Sequence, residues 1–176
     1  DVTDALAAKL SLVNLAGADM TVNGKAASAA TGEVYLDNSG ATTVNLSATA
    51  ANVKDKTTTT NDLKVTASNT ASLVVNVGEY VDSTSTISAD KATSVTLNVA
   101  SGKKADGTEI TKFDGKIDAA KAETVTVNAT GTLAGAINAK AATSATINTT
   151  AASSLALDAE KLTNLTVTAA KNLDFT

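Results

Sequence analysis

One phrase of six or seven residues recurs through this chain, and its spacing constrains the fold more than any other feature. It reads Ala-Thr-Thr-Val-Asn-Leu at 41–46, Ala-Ser-Leu-Val-Val-Asn at 71–76 and Ala-Thr-Ser-Val-Thr-Leu-Asn at 92–98. It returns as Ala-Glu-Thr-Val-Thr-Val-Asn at 122–128, Ala-Thr-Ser-Ala-Thr-Ile-Asn at 142–148 and Leu-Thr-Asn-Leu-Thr-Val-Thr at 162–168. With Val44, Leu73, Val95, Val125, Ala145 and Leu165 as the first inward positions, successive copies lie 29, 22, 30, 20 and 20 residues apart. A period of about 20 residues, enlarged by insertions of about ten near 51–60 and 101–112, marks a repeat architecture.

Eight residues before each of these positions stands a second apolar side chain: Leu36, Val65, Ile87, Ile117, Ile137 and Leu157. Two residues after stands a third, in Leu46, Val75, Leu97, Val127, Ile147 and Val167. Apolar residues two apart, with Thr or Ser between, form the period-two pattern of strands with one dry face, so each coil is expected to carry two short strands. Such a repeat has no room for crossover helices or long hairpin arms. The expected fold is all-β: a parallel β-solenoid whose strands pair with their equivalents one coil away, at about 4.8 Å. The chirality of parallel crossovers makes it a right-handed β-helix. About six coils occupy 34–176, a rod of roughly 25–30 Å, and 1–33 is read as an irregular first coil or capping segment. Within that segment Leu10, Leu12, Val13 and Leu15 fit an irregular coil or a short helix, and Met20 to Val22 a strand.

Smaller columns repeat with the same period. Ala67, Ala89, Ala119, Ala139 and Ala159 suit a tight interior corner. Ser47, Asn76, Asn98, Asn128, Asn148 and Thr168 form an Asn-rich column in which stacked amides can hydrogen-bond along the rod. Thr43, Ser72, Ser94, Thr124, Ser144 and Asn164, with Thr96, Thr126, Thr146 and Thr166, are assigned to the outer face. Lys91, Lys121 and Lys161 lie near Asp37, Asp118 and Asp158, which reads as a solvated, charge-mixed face.

Composition decides what chemistry such a rod can carry. The chain has no His, Cys, Pro or Trp, all fourteen of its basic residues are Lys, and its net charge is −4. The usual general base near neutrality, thiolate nucleophiles and high-affinity zinc or copper ligands are therefore missing. An acidic chain with 2% aromatics lacks the charge and stacking platforms of a nucleic-acid binder, so no nucleic-acid partner is expected. No run of eighteen apolar residues suggests membrane insertion. Freedom from cysteine permits an oxidising, extracellular setting without requiring it. The opening at Asp1 and the unbroken repeat read as a stretch of a longer protein.

Four patterns point towards ligands, each beside a plainer account. Asp106, Glu109 and Asp114, in and just after the second insertion, are the only metal candidates, as oxygen ligands for Ca²⁺. A solvated loop turning at Asp-Gly explains the same residues more simply. Asn45, Asn128, Asn148 and Asn164 each open an Asn-x-Ser/Thr sequon, which a Thr-rich chain produces by chance. Thr-x-Thr rows resemble the flat arrays of ice-binding solenoids, although the high β-propensity of Thr accounts for them. A lyase on this scaffold would need acids and a basic residue converging on one groove, and the Lys and Asp columns supply no such set.

The phrases Lys-Ala-Glu-Thr-Val-Thr-Val-Asn-Ala-Thr-Gly (121–131) and Lys-Ala-Ala-Thr-Ser-Ala-Thr-Ile-Asn (140–148) resemble the β-strand repeats of Gram-negative surface-layer proteins. The likeness is to surface arrays of the Campylobacter and Caulobacter kind and runs from about residue 34 onward. It implies an extracellular protein of the bacterial cell surface that assembles with copies of itself into a calcium-dependent two-dimensional lattice. It also implies anchoring on lipopolysaccharide through regions outside this stretch. The calcium nonapeptides of many such proteins are absent, so no metal residue is carried over. The expected function is structural and non-enzymatic; a stalk or passenger module of a large secreted adhesin is the alternative, and an ice-binding solenoid comes third.

Overall fold

The computed structural model of the chain describes residues 9–25 and 32–176. In chain order the first elements are β1 (Lys9–Leu15), β2 (Met20–Lys25), β3 (Gly32–Asn38), β4 (Ala41–Ser47), α1 (Ala50–Asp55), β5 (Thr59–Thr60) and β6 (Leu63–Ala67). The middle holds β7 (Ser72–Val77), β8 (Val81–Ser83), β9 (Thr86–Ser88), β10 (Ser94–Val99), β11 (Lys112–Phe113), β12 (Lys116–Asp118) and β13 (Thr124–Ala129). The last elements are β14 (Thr132–Leu133), β15 (Ala136–Asn138), β16 (Ser144–Thr149), β17 (Ser153–Asp158), β18 (Asn164–Ala169) and β19 (Leu173–Phe175).

These strands stack into an all-β parallel solenoid. An eight-stranded sheet runs β1-β3-β6-β9-β12-β15-β17-β19, and a seven-stranded sheet runs β2-β4-β7-β10-β13-β16-β18. A four-stranded sheet, β5-β8-β11-β14, forms a third wall. The expectation of two strands per coil is thus corrected to three in the central coils. Its members are only two or three residues long, too short to show an alternating pattern in the sequence.

Apart from the buried Asn38, the inward columns on the two long sheets are apolar or small and form one continuous core, open at the last coil, where Leu165 and Val167 are each 46% exposed. Val95 pairs with Leu73 and Val125, and Val125, Ala145 and Leu165 follow in register, as the spacing predicts. Ile87, Ile117, Ile137 and Leu157 stack likewise on the facing sheet. The two walls meet at a tight turn in which the amide of Ala92 donates to the carbonyl of Ala89 at 3.0 Å. Ala122 to Ala119 and Ala142 to Ala139 repeat that bond at 2.8 Å, and these alanines are fully buried. A larger side chain at these corners would push the two walls apart, which is why the column is alanine.

Aromatics are scarce because the coil is narrow, yet Phe113 lies fully inside it. Its ring has room because Ser83 sits opposite it in the neighbouring strand and Gly115 and Gly135 face it. A Cβ on Gly115 would come within 2.6 Å of the ring and 2.3 Å of the Ser85 carbonyl oxygen.

Of the two readings of Leu10 to Leu15, an irregular coil or a short helix, the structure has the irregular coil: these residues belong to β1, which pairs with β3 and shifts register between Leu12 and Leu15. The strand expected at Met20 to Val22 is present as β2, paired with β4. The register of the next coil is corrected. Val44 pairs with Val75 rather than Leu73, and Leu36 with Ala67 rather than Val65; Thr42 and Val34 take the expected places. Thr42 is inward and fully buried, and its hydroxyl is satisfied by Asn38, whose Nδ2 donates to it at 3.1 Å. A threonine satisfied within its own coil can take an inward place that the repeat pattern assigns to the apolar Val44.

Both insertions leave the rod at the same corner, between the seven-stranded and four-stranded walls. The first forms α1, capped by the Thr49 hydroxyl, which accepts from the Asn52 amide at 3.2 Å, and by Lys56 in the left-handed region at φ 52°. Its residues are all exposed or half-buried, so it adds no core.

Candidate functional site

The second insertion is a small, well-tied hairpin. The Lys104 amide donates to the Thr108 carbonyl and that of Gly107 to the Lys104 carbonyl, both at 3.0 Å; Gly107 takes φ +84°, which a glycine adopts without strain. Glu109 holds its base. The carboxylate accepts from the amides of Gly102 at 2.9 Å and Thr111 at 3.0 Å and from the Ser101 hydroxyl. The Thr111 hydroxyl in turn accepts from the amide of Tyr80 at 2.7 Å, fixing the loop to the coil below. Tyr80 has φ 63°, and Gly102 passes so close that a Cβ there would lie 2.6 Å from the Tyr80 nitrogen.

The three calcium candidates therefore have separate tasks. Asp106 accepts from the Thr108 amide at 2.9 Å, and that bond, helped by the Thr108 hydroxyl, holds its carboxyl below the usual range. Asp114 pairs with Lys112 at 2.8 Å, a hydrogen bond that raises the Lys112 ammonium above its ordinary value. Glu109 is occupied by backbone donors. No three acidic side chains converge anywhere among the described residues.

Charge is concentrated on the eight-stranded and four-stranded walls and in the turns that join the eight-stranded wall to the seven-stranded one. Lys64 pairs with Glu33 at 3.1 Å, and Lys140 reaches Glu160 at 2.8 Å and Asp158 at 3.6 Å. The hydrogen bond to Glu160 raises Lys140 and lowers the Glu160 carboxyl. The acidic column expected beside Lys91, Lys121 and Lys161 is instead met by amides: Asn138 Nδ2 donates to Asp118 at 2.8 Å and Asn69 Nδ2 to Asp37. Lys91, Lys121 and Lys161 stand exposed at the turn tips. Open depressions of about 360–380 Å³ on this side include Lys116, Asp114 and Asp158 in their walls. Their depth and composition provide no enclosed site for a small molecule.

The seven-stranded wall differs. Its outward positions on β4, β7, β10, β13, β16 and β18 carry Ser, Thr, Asn, Ala and Val and no charge. One column is an asparagine ladder: Nδ2 of Asn45 donates to Oδ1 of Asn23 at 2.7 Å, Asn76 to Asn45 and Asn98 to Asn76 at 2.8 Å. Asn128 to Asn98 and Asn148 to Asn128 follow at 3.0 Å. The expected ladder began at Ser47; the true one includes Asn45 and Asn23, and the signal for them was the identity of the residue itself. Sequon residues Asn45, Asn128 and Asn148 thus have their side-chain amides committed to the ladder, while Asn164 is exposed at the end of the stack.

The molecule is a parallel β-solenoid with two charged walls and a third whose outward positions from β4 to β18 are uncharged and rich in hydroxyls and amides. Comparison with protein-family models, curated proteins and solved structures finds no match to the chain. No helix among the described residues is long and apolar enough to cross a membrane.

Proposed function

We propose that the chain is a structural, non-catalytic rod of a self-assembling bacterial surface layer, working outside the cell as part of a protective lattice. The observation that carries this reading is the pairing of one continuous in-register core with an uncharged, repeating outer face on β4 to β18 of the seven-stranded wall. A rod of this kind resists bending because every coil is hydrogen-bonded to both neighbours along its sheets. It also offers a regular surface to further copies. The repeat phrases at 121–131 and 140–148, with their likeness to surface-array repeats, supply the cellular setting. A non-catalytic role is supported by the chain's lack of His and Cys and by the separate engagement of Asp106, Glu109 and Asp114 in turn and ion-pair contacts. The test is cryo-electron tomography of cells that make the full-length protein, compared with cells whose gene lacks this stretch. A periodic coat that loses its order in the deletion strain supports the proposal. Isolated fibres projecting from the surface would identify an adhesin stalk instead, and an unaltered coat would overturn the reading.

A further inference from the structure

We propose that the uncharged face of β4, β7, β10, β13, β16 and β18 on the seven-stranded wall is the surface through which two copies of this chain bind face to face, about a twofold axis. This deepens the assembly reading and rests on it for its place in the cell, but the contact is tested on the chain alone.

Charge makes the argument. Each copy carries −4, so most approaches bring like charges together or strip water from ions. Lys64 with Glu33 lies on the eight-stranded wall, Lys112 with Asp114 beside the four-stranded one, and Lys140 with Glu160 at the turns that join the eight-stranded wall to the seven-stranded one. The outward positions of β4, β7, β10, β13, β16 and β18, which lie inside those turns, approach a copy of themselves without that cost.

Its side chains suit the contact. Thr96, Thr126 and Thr146 stand in one straight column beside the asparagine ladder. In-register rows of small uncharged side chains on one sheet can interdigitate with the same rows on another. Asn45, Asn76, Asn98 and Asn128 each spend one N–H and one lone pair of the oxygen within the rod, leaving one of each to face a partner. A twofold axis meets both needs, because donors and acceptors on one surface then face acceptors and donors on the other.

The extent of the wall sets the strength. Six strands about 4.8 Å apart, each about 20 Å long, give roughly 600 Å² per copy. Roughly 1,200 Å² in total lies at the low end of specific interfaces, so the isolated chain forms a weak, reversible dimer. In a lattice, many such contacts act together.

Analytical ultracentrifugation of the chain, from low micromolar to near-millimolar concentration, tests this directly. A reversible monomer–dimer equilibrium is expected for the native sequence. Thr126→Lys, placed mid-column, should raise the dissociation constant about tenfold or more by setting like charges opposite one another. Ala156→Lys, exposed on the eight-stranded wall, should leave it unchanged. Mixing Thr126→Lys with Thr126→Glu should restore association, which a misfolded variant would not do. A chain that stays monomeric throughout, or dimers indifferent to both Thr126 substitutions, would overturn the proposal. So would a monomer whose wall depresses the freezing point of water in a Thr126-dependent way, since the face would then bind ice. A coat lost in the deletion strain together with a monomeric chain would reject this contact while leaving the lattice reading intact. The converse pair of results would reject the lattice reading alone.

Discussion

Replacing Ile117 by alanine tests the interior of the rod most directly. Ile117 has no exposed surface and lies between Ile87 and Ile137 in one column of the eight-stranded wall. The substitution removes three carbons, worth about 2.4 kcal/mol of transfer free energy at ~0.8 kcal/mol each. A cavity of roughly 40–80 Å³ adds about 1–2 kcal/mol at ~24 cal/mol per Å³. The walls cannot collapse onto that space, because each is held at fixed spacing by parallel ladders on both sides of the coil. The expected loss is therefore about 3.5–4.5 kcal/mol, and Ile117→Asp, which buries an unpaired carboxylate, should cost more. Thr126→Ser, on the outer wall, should change stability by no more than about 0.5 kcal/mol. Urea unfolding followed by circular dichroism measures the difference. Hydrogen exchange should accompany it, since a stacked array can open coil by coil rather than in one step. Equal shifts for Ile117→Ala and Thr126→Ser would show that inside and outside have been exchanged, and the assigned core would be wrong.

Other outcomes follow from single groups. Thr149 is inward and 2% exposed, and its hydroxyl has no partner, in a column where Val77 and Val99 also stand. Thr149→Val should therefore raise stability by about 1 kcal/mol, and a measured loss would mean that the hydroxyl is satisfied. Glu109→Ala should abolish exchange protection of the Gly102 and Thr111 amides, which its carboxylate binds, while β10 and β13 stay protected. Loss of protection throughout the rod would show that the loop is part of the core. Lys140→Ala should raise the Glu160 titration midpoint, followed by NMR, towards that of a free carboxyl. Because Glu160 is lowered in the folded chain, its contribution is present above the unfolded-state value and lost as pH falls through the folded one. Lys140, raised when folded, contributes fully below its unfolded-state value and loses that contribution as pH rises through the folded one. An unmoved Glu160 midpoint would refute the pair.

Much of the fold was legible because a solenoid repeats its instructions. Apolar residues two apart, recurring from Val95 to Leu165 with small corner alanines, identified strands, inward faces and parallel pairing before any coordinates. What escaped was whatever occurs in pieces too short to be periodic. The third wall consists of two- and three-residue strands, and its inward members Ser83, Phe113 and Leu133 share no chemistry. Phe113 is a core residue only because Gly115 and Gly135 make room for it, a relation between neighbouring coils that a single strand does not reveal. For the candidate site, sequence located Asp106, Glu109 and Asp114 correctly in and beside the second insertion. It could not say that amides and a lysine 2.8 Å from Asp114 would engage them separately.

The register error in the coil at 34–46 shows what the asparagine ladder contributes. Sliding a strand by one residue turns its dry face to water, and hydrophobic burial forbids it. A slide of two residues keeps every inward residue inside, so burial alone separates the two registers poorly. Placing Val44 against Leu73 or against Val75 buries an apolar pair either way. The outward column distinguishes them. In the observed register Asn45 lies opposite Asn76, and the hydrogen bond that Asn76 Nδ2 donates to Asn45 Oδ1 at 2.8 Å joins the ladder on to Asn23. In the alternative, Ser47 would face Asn76 and the ladder would break at that rung. Thr42 tolerates this register from inside, because its hydroxyl is satisfied by Asn38 on its own coil and needs nothing from Leu73. Apolar columns therefore decide which face is buried, while polar columns decide which coil residue meets which. A wall built to keep its rows straight by this means also presents them straight to a second copy.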